Sequence, residues 1–239
     1  MRIELPSTLS EVRIEEYQRL TRILSESNDA DIQAYSILSV LTGLSKLELN
    51  RLPYITVQDL LNKVVPVFNE EPNKKLIRHF TIDDVEFGFI PNLEEMTFGE
   101  YVDLNNYIDA EGYANAHKFM AVCYRPLTEK QGDKYLIEEY NGSSKFQDIM
   151  LDAPVDAYLS ALLFFSTLGN ELLRLSRHYL KEAQSQLARQ EAPLQRNGDG
   201  TDQSIALQVE TLLSTMQLQE WEFYNPLQNL HLKLSKKLY

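Results

Sequence analysis

The chain has 239 residues, 44% hydrophobic and 24% charged, enough for one large or two small domains with a buried core. The formal charge of −12 is carried by residues 1–160, with 15 basic against 27 acidic side chains, whereas residues 161–239 hold eight of each. An acidic surface repels phosphate, so no direct nucleic-acid binding is expected from residues 1–160, while a basic protein partner fits.

In chain order, Thr8 and Glu11 have the spacing of a capping box, and Val12, Tyr17, Leu20, Ile23 and Leu24 recur at helical spacing behind it. Ser27-Asn28-Asp29 ends that helix. Asp31 opens a second, with Ile32, Tyr35, Leu38 and Leu41 inward and Gly43 as its terminator. Ser45 and Glu48 can start a short helix that Pro53 stops. Thr56 then caps Val57–Val65, and Pro66 breaks it. After a polar connection, Thr81, Ile82, Val85, Phe87 and Phe89 form a hairpin around Asp83-Asp84. Ile90-Pro91-Asn92 breaks the strand, Thr97 and Glu100 make a second capping box, and the following apolar helix runs to Pro126.

Leu9, Glu16, Tyr17 and Leu20 match Leu93, Glu100, Tyr101 and Leu104 at a constant offset of 84, with Val12/Met96 and Ile14/Phe98 as conservative partners. A second apolar helix follows in both places. The pattern fits an internal duplication of helical hairpins (8–44 and 92–124); the alternative is amphipathic patterning shared by chance.

Lys134–Tyr140 reads as a strand, Asn141-Gly142 as a turn, and Phe146, Ile149, Met150 and Leu151 as a short helix. Pro154 opens the longest element, a helix to about Arg189 of roughly 36 residues and roughly 54 Å. Its first half, AYLSALLFFSTL, is apolar on nearly every side and predicts burial; the second narrows to Leu172, Ser176, Tyr179, Ala183 and Leu187. Residues 190–204 read as a flexible loop. Ile205, Val209, Leu212, Leu213 and Met216 then give a stripe suited to an αα-hairpin, and Pro226 opens a final helix bearing Leu227, Leu230 and Leu234. The fold class is therefore mainly α (α+β): an acidic helical domain over 1–153 with one or two small β-hairpins, then a C-terminal region over 154–239.

A search for chemistry returns little. Cys123, the only cysteine, excludes an intrachain disulfide and a thiolate metal cage, and its apolar surroundings make it a small buried hydrophobe. His79, His117, His178 and His231 stand on separate elements without a metal-ligand spacing. The acidic, glycine-bearing stretch Asn197–Asp202 fails as a calcium loop, because its first and twelfth ligand positions fall on Gln195 and Ala206. No phosphate-binding glycine loop, dinucleotide fingerprint or nucleophile elbow occurs. The adjacent acids Asp83-Asp84, Glu94-Glu95 and Glu138-Glu139 read as solvated positions. No catalytic, cofactor or metal site is expected.

The N-terminus turns acidic within a few residues, so no signal peptide is expected. The longest apolar run, Ala161–Phe165, is far short of the roughly 20 residues a membrane span needs. A soluble protein made in the cytoplasm is the expectation, with no membrane partner.

Four spaced blocks carry a resemblance: FGFIPNLEEMTFGEYVDL (87–104), HKFMAVCYRPL (117–127), KYLIEEYNG (134–142) and DAPVDAYLSALLFFSTLGNELL (152–173). In that order they resemble proteins of tailed bacteriophages, crAss-like phages included, that are encoded among virion genes. The likeness covers about residues 8–175 and leaves 176–239 uncovered. It implies a non-enzymatic structural, virion-associated or tail-assembly-chaperone-like protein located in the virion, with other virion proteins or copies of itself as partners. Alternatives are a chaperone absent from the mature particle, and a small acidic enzyme or host-takeover factor without a recognisable motif. The residues expected to bind partners are Trp221, Phe223, Tyr224, Leu227, Leu230 and Leu234, an aromatic cluster beside a basic, leucine-bearing chain end.

Overall fold

A computed structural model describes residues 3–27, 29–108, 112–132 and 134–191. They form an α+β fold: helices α1 (Ile14–Glu26), α2 (Ala30–Thr42), α3 (Lys46–Leu49) and α4 (Tyr54–Phe68), strands β1 (His79–Ile82) and β2 (Val85–Phe89), helices α5 (Phe98–Tyr107) and α6 (Ala116–Cys123), strands β3 (Tyr124–Gln131) and β4 (Lys134–Ile137), and the long helix α7 (Val155–Glu191). The strands make one antiparallel sheet in the order β1-β2-β3-β4. Two compact units divide the chain within α7, between Leu162 and Leu163. The expected αα-hairpin and the 190–204 loop fall almost wholly beyond Glu191, outside the described residues.

Local chemistry explains most of the helix starts, sometimes one turn away from the sequence expectation. Thr8 and Glu11 do not open α1. Thr8 precedes and Glu11 ends a 3-10 turn, Leu9–Glu11, in which Thr8 makes no capping bond and the Glu11 carboxylate accepts from the Ser7 amide at 2.7 Å. The helix begins at Ile14, and Glu16 caps it by accepting from the Arg13 amide and guanidinium, both at 2.9 Å. Arg13 has no side-chain acceptor, so only the carboxylate half of a capping box operates. Val12, Tyr17, Leu20 and Leu24 are buried as expected.

The second helix is capped by Asp29 rather than opened by Asp31: the Asp29 carboxylate accepts from the Asp31 and Ile32 amides. Leu38 and Leu41 are buried as expected, Ile32 is exposed and Tyr35 half-buried, and Gln33 and Ile37 join the buried face. Gly43 ends the helix in the left-handed conformation, φ 71°. The expected short helix α3 starts on a reciprocal capping box between Ser45 and Glu48. Pro53 does not merely stop that helix; it is the N-cap of α4, which starts at Tyr54, two residues before Thr56. Pro66 does not break α4 either, because it sits in the last turn, which continues to Phe68.

In the sheet, Asp83 and Asp84 both take positive φ (46° and 63°), the conformation a two-residue hairpin turn requires. The second hairpin differs from expectation. Pro126 does not terminate α6; the helix ends at Cys123 and passes directly into β3. Strand β4 covers only Lys134–Ile137, shorter than expected; Gly132 (φ 61°) stands between it and β3, and Gly142 after it also takes positive φ (91°). Proline is tolerated in this central strand because Pro126 is the last residue paired with β2, opposite Phe87, while β3 pairs with β4 from Leu127 onward across an irregularity at Leu127/Glu129. Its carbonyl still accepts from the Glu138 amide at 2.9 Å. The expected short helix around 146–151 is a 3-10 turn, Ile149–Asp152, with Met150 fully buried and Ile149 exposed.

Helix α7 has the expected start and length, 37 residues. At its opening Val155, Ala157, Tyr158, Leu159, Ser160 and Ala161 are buried, whereas Leu163 and Tyr179 are exposed and Phe164, Phe165 and Leu168 lie between. Two buried hydroxyls find partners at this opening. Ser160 Oγ accepts from the Ile77 amide at 3.1 Å and donates to the Ala157 carbonyl at 2.9 Å, and the Tyr124 hydroxyl donates to the Ile77 carbonyl at 2.6 Å. One segment of irregular backbone is thereby tied to both β3 and the start of α7.

Gly88 lets the second hairpin close over the first. A Cβ added there would stand 2.6 Å from Leu127 Cδ1 and 2.9 Å from Tyr135 Cε2. We expect Gly88→Ala to cost roughly 1–3 kcal/mol through overpacking. A chemical denaturation curve indistinguishable from wild type contradicts this close approach.

Candidate functional site

The sequence between α5 and β4 builds the most buried polar cluster among the described residues. Thr97 caps α5 through the Glu100 amide (3.2 Å), and Glu100 accepts from both the Thr97 amide and hydroxyl at 2.7 Å. The other oxygen of Glu100 lies 2.6 Å from Arg125 Nη1. Both side chains are almost wholly buried, at 3% and 5% residue exposure. Arg125 also lies over the Tyr140 ring, 5.3 Å from its centroid, and Tyr140 donates to Asp103 one turn along α5.

Electrostatics make this cluster an anchor. Burial by itself pushes the Glu100 carboxyl up, but the Thr97 amide and hydroxyl together with Arg125 outweigh it, and the net shift is downward. Tyr140 is pushed up, first by burial and then by Asp103. The Cys123 thiol is pushed well up by burial, so it stays protonated. Glu100 is thus a fixed anion and Tyr140 a neutral donor, which suits holding α5 against β3 better than exchanging protons.

His79, His117 and His178 each have their own local neighbours, and His231 lies outside the described residues. His79 Nδ1 stands 3.7 Å from Glu86, beyond hydrogen-bond distance, and Glu86 is engaged by Lys130 at 2.5 Å. Burial, then Lys130, lowers the His79 pKa. His117 Nδ1 accepts from Gln18 Nε2 at 2.9 Å, and the same amide donates to the carbonyls of Tyr113 and Ala114, so Gln18 ties α1 to the lead-in of α6. His178 approaches Glu182 at 3.5 Å, one turn along α7. Asp156, in the first turn of α7, is raised by burial, with Glu70 adding to the effect; Glu70 itself accepts from the Leu9 amide at 3.1 Å. Among the described residues no group of three His, Cys, Asp or Glu side chains could hold a metal ion, and no helix is long and apolar enough to cross a membrane.

The partner-binding residues expected from sequence, Trp221, Phe223, Tyr224, Leu227, Leu230 and Leu234, lie outside the described residues. Sequence reasoning missed apolar side chains displayed elsewhere. Leu47 on α3 and Tyr54 and Ile55 at the start of α4 are 62%, 75% and 63% exposed. Phe98, Tyr101 and Val102 form a second exposed set, at i, i+3 and i+4 on α5. Single exposed apolar residues are ordinary; repeated ones on one helix face mark contact surfaces.

The fold class these residues define is α+β, a helical assembly around a small antiparallel sheet. Comparison with protein-family models, curated proteins and solved structures gives no match to this chain.

The Glu100–Arg125 pair has a pH signature. A depressed carboxyl contributes stability that is complete above the ordinary glutamate range near pH 4.3 and is lost as pH falls through the lower folded-state value. Glu100→Gln leaves Arg125 buried without its counter-charge and should cost about 3–5 kcal/mol at pH 7. In urea titrations below about pH 4.3, wild-type stability should fall more steeply than that of the variant. Parallel pH dependence in the two proteins contradicts the anchoring role.

Proposed function

We propose that this chain works through protein–protein contacts, as a structural or assembly component of a tailed-phage particle. The observation that carries the contact role is the display of Leu47, Tyr54 and Ile55 at the junction of α3 and α4, each more than 60% exposed. Large apolar side chains held in water gain free energy when another surface covers them. The four-block resemblance supports the phage assignment, and the occupant of this surface is another virion protein or a further copy of the chain. The buried cluster supports the same reading, since its groups are locked in single protonation states. The chaperone alternative uses the same contact surface and differs only in whether the chain stays with the finished particle.

The test substitutes Leu47→Glu, Tyr54→Glu and Ile55→Glu together. Exposed positions tolerate such changes within about 0.5 kcal/mol each, so the fold should survive. Co-expressed with the other virion proteins, the variant should lose co-assembly while melting close to wild type. Mass spectrometry of purified particles should find the wild-type chain; its presence only in assembling lysates favours the chaperone role. A variant that assembles as wild type does overturns the contact role of this surface.

A further inference from the structure

The two stretches that match at an offset of 84 also share backbone structure, and one of them lacks a cover that the other has. The 3-10 turn Leu9–Glu11 corresponds to the 3-10 turn Leu93–Glu95, and helix α1 starting at Ile14 corresponds to α5 starting at Phe98, each pair 84 residues apart. In both, the residue after the turn donates back to the leucine carbonyl at 3.2 Å: Val12 to Leu9, Met96 to Leu93. In both, a glutamate at the third helical position, Glu16 or Glu100, accepts from the N-cap amide.

In the first copy this surface is covered. The segment Ala153-Pro154-Val155 lies antiparallel to Val12–Ile14, with the Ile14 amide donating to the Ala153 carbonyl at 3.0 Å and the Val155 amide to the Val12 carbonyl at 2.8 Å. The helix that follows sets Tyr158 against Tyr17, with ring centroids 6.2 Å apart. Ile14 and Tyr17 are consequently 0% and 1% exposed. In the second copy the corresponding Phe98 and Tyr101 are 82% and 56% exposed. Among the described residues the Phe98 amide and Met96 carbonyl, the counterparts of the two bridging groups, have no backbone partner.

We infer that this face of α5 receives the segment Asn225–Leu234 of the same chain, docked as Ala153–Leu162 docks on α1. Three observations select that occupant. Its sequence, NPLQNLHLKL, repeats the pattern of the covering segment APVDAYLSAL: proline followed by an aliphatic residue, then apolar residues four and eight places after the proline (Leu230 and Leu234, against Tyr158 and Leu162). An X-Pro-aliphatic start supplies the extended residue and the helix opening that the bridge to α1 uses. The segment's charge complements the site: residues 225–239 carry Lys233, Lys236 and Lys237 and no acid, while α5 is preceded by exposed Glu94 and Glu95. The 33 residues from 192 to 224 give ample reach, at up to about 3.3 Å each. The chain end is then an internal cover for its own second hairpin. This goes beyond the role proposed above, which concerns the α3–α4 surface and stands or falls separately.

The full-length chain carrying Val102→Cys and Leu230→Cys tests the docking; the native Cys123 is buried and does not compete. Mild oxidation should give a disulfide-closed monomer, with a peptide from α5 joined to one from 225–239 after digestion. A disulfide-linked dimer overturns the inference in favour of a second copy as occupant, and an unlinked monomer overturns it outright. As a second measurement, full-length Leu227→Asp/Leu230→Asp should exchange the amides of Phe98–Tyr107 at least about tenfold faster than wild type, with α4 unchanged. Unchanged exchange in α5 refutes the docking even if the cysteine variant fails to fold.

Discussion

The structure depends on the burial of one unbroken run, Phe119 to Arg125, in which every residue is at most 5% exposed. The run starts as the core-facing end of α6 and becomes the first residues of β3 without a connecting loop. Helix and strand are therefore locked into one piece, and everything packed on either is fixed relative to the other. Phe119 meets the Tyr158 ring at 5.7 Å, while Tyr124 meets the rings of Phe80 and Phe89 at 4.9 and 5.3 Å. The cost of so continuous a burial is that a charged residue comes in with it. Arg125 has no route to water, and its counter-charge has to be buried too.

That requirement gives Glu100 two roles. Its carboxylate caps α5 through Thr97 and neutralises Arg125, so the start of one helix and the position of a central strand share a single group. Buried ion pairs stabilise weakly when measured against apolar replacements, because desolvation of two charges offsets most of their attraction. What they enforce is geometry: a shifted α5 leaves a buried guanidinium unpaired. The matching Glu16 in the first hairpin has Arg13 as partner at 2.9 Å, with a 47% exposed arginine side chain. Water screens that pair, so it caps the helix without fixing a distant strand.

The sequence made local signals legible where the chemistry was local. The short helix from Ser45, the reciprocal box at Thr97/Glu100, the Gly43 terminator, the Asp83-Asp84 turn and the long proline-opened helix all depend on residues within a few positions of each other. The misses share a cause. Arg13 is a poor cap by type, and α1 starts there because its backbone is held by Ala153 and Val155, some 140 residues away. Strand β3 was masked by Pro126, whose tolerance depends on where β2 ends and β4 begins. On α2, Leu38 and Leu41 were legible as core, whereas Ile32 and Tyr35 escape burial because what covers the first turns of the helix is set by packing partners distant in sequence. Of the candidate surfaces, Leu47, Tyr54 and Ile55 went unnoticed because exposure is a property of the packed whole.

The two hairpins show how a repeated local design acquires different uses. Both begin with a 3-10 turn, a glutamate-capped helix and an aromatic at the fourth helical position, and both pack a second helix against the first. Sequence and backbone dictate that much twice over. What separates them is the long-range partner: α1 is covered at its entry by the lead into α7, whereas α5 is fixed from its inner side by Arg125 and presents its entry outward. A residue type therefore does not decide its own burial. Tyr17 and Tyr101 occupy the same step of the same motif, and the first is a core residue while the second faces water. What is laid across the capped helix start, in α1 the segment Ala153-Pro154-Val155, decides whether the same step of the motif is core or surface.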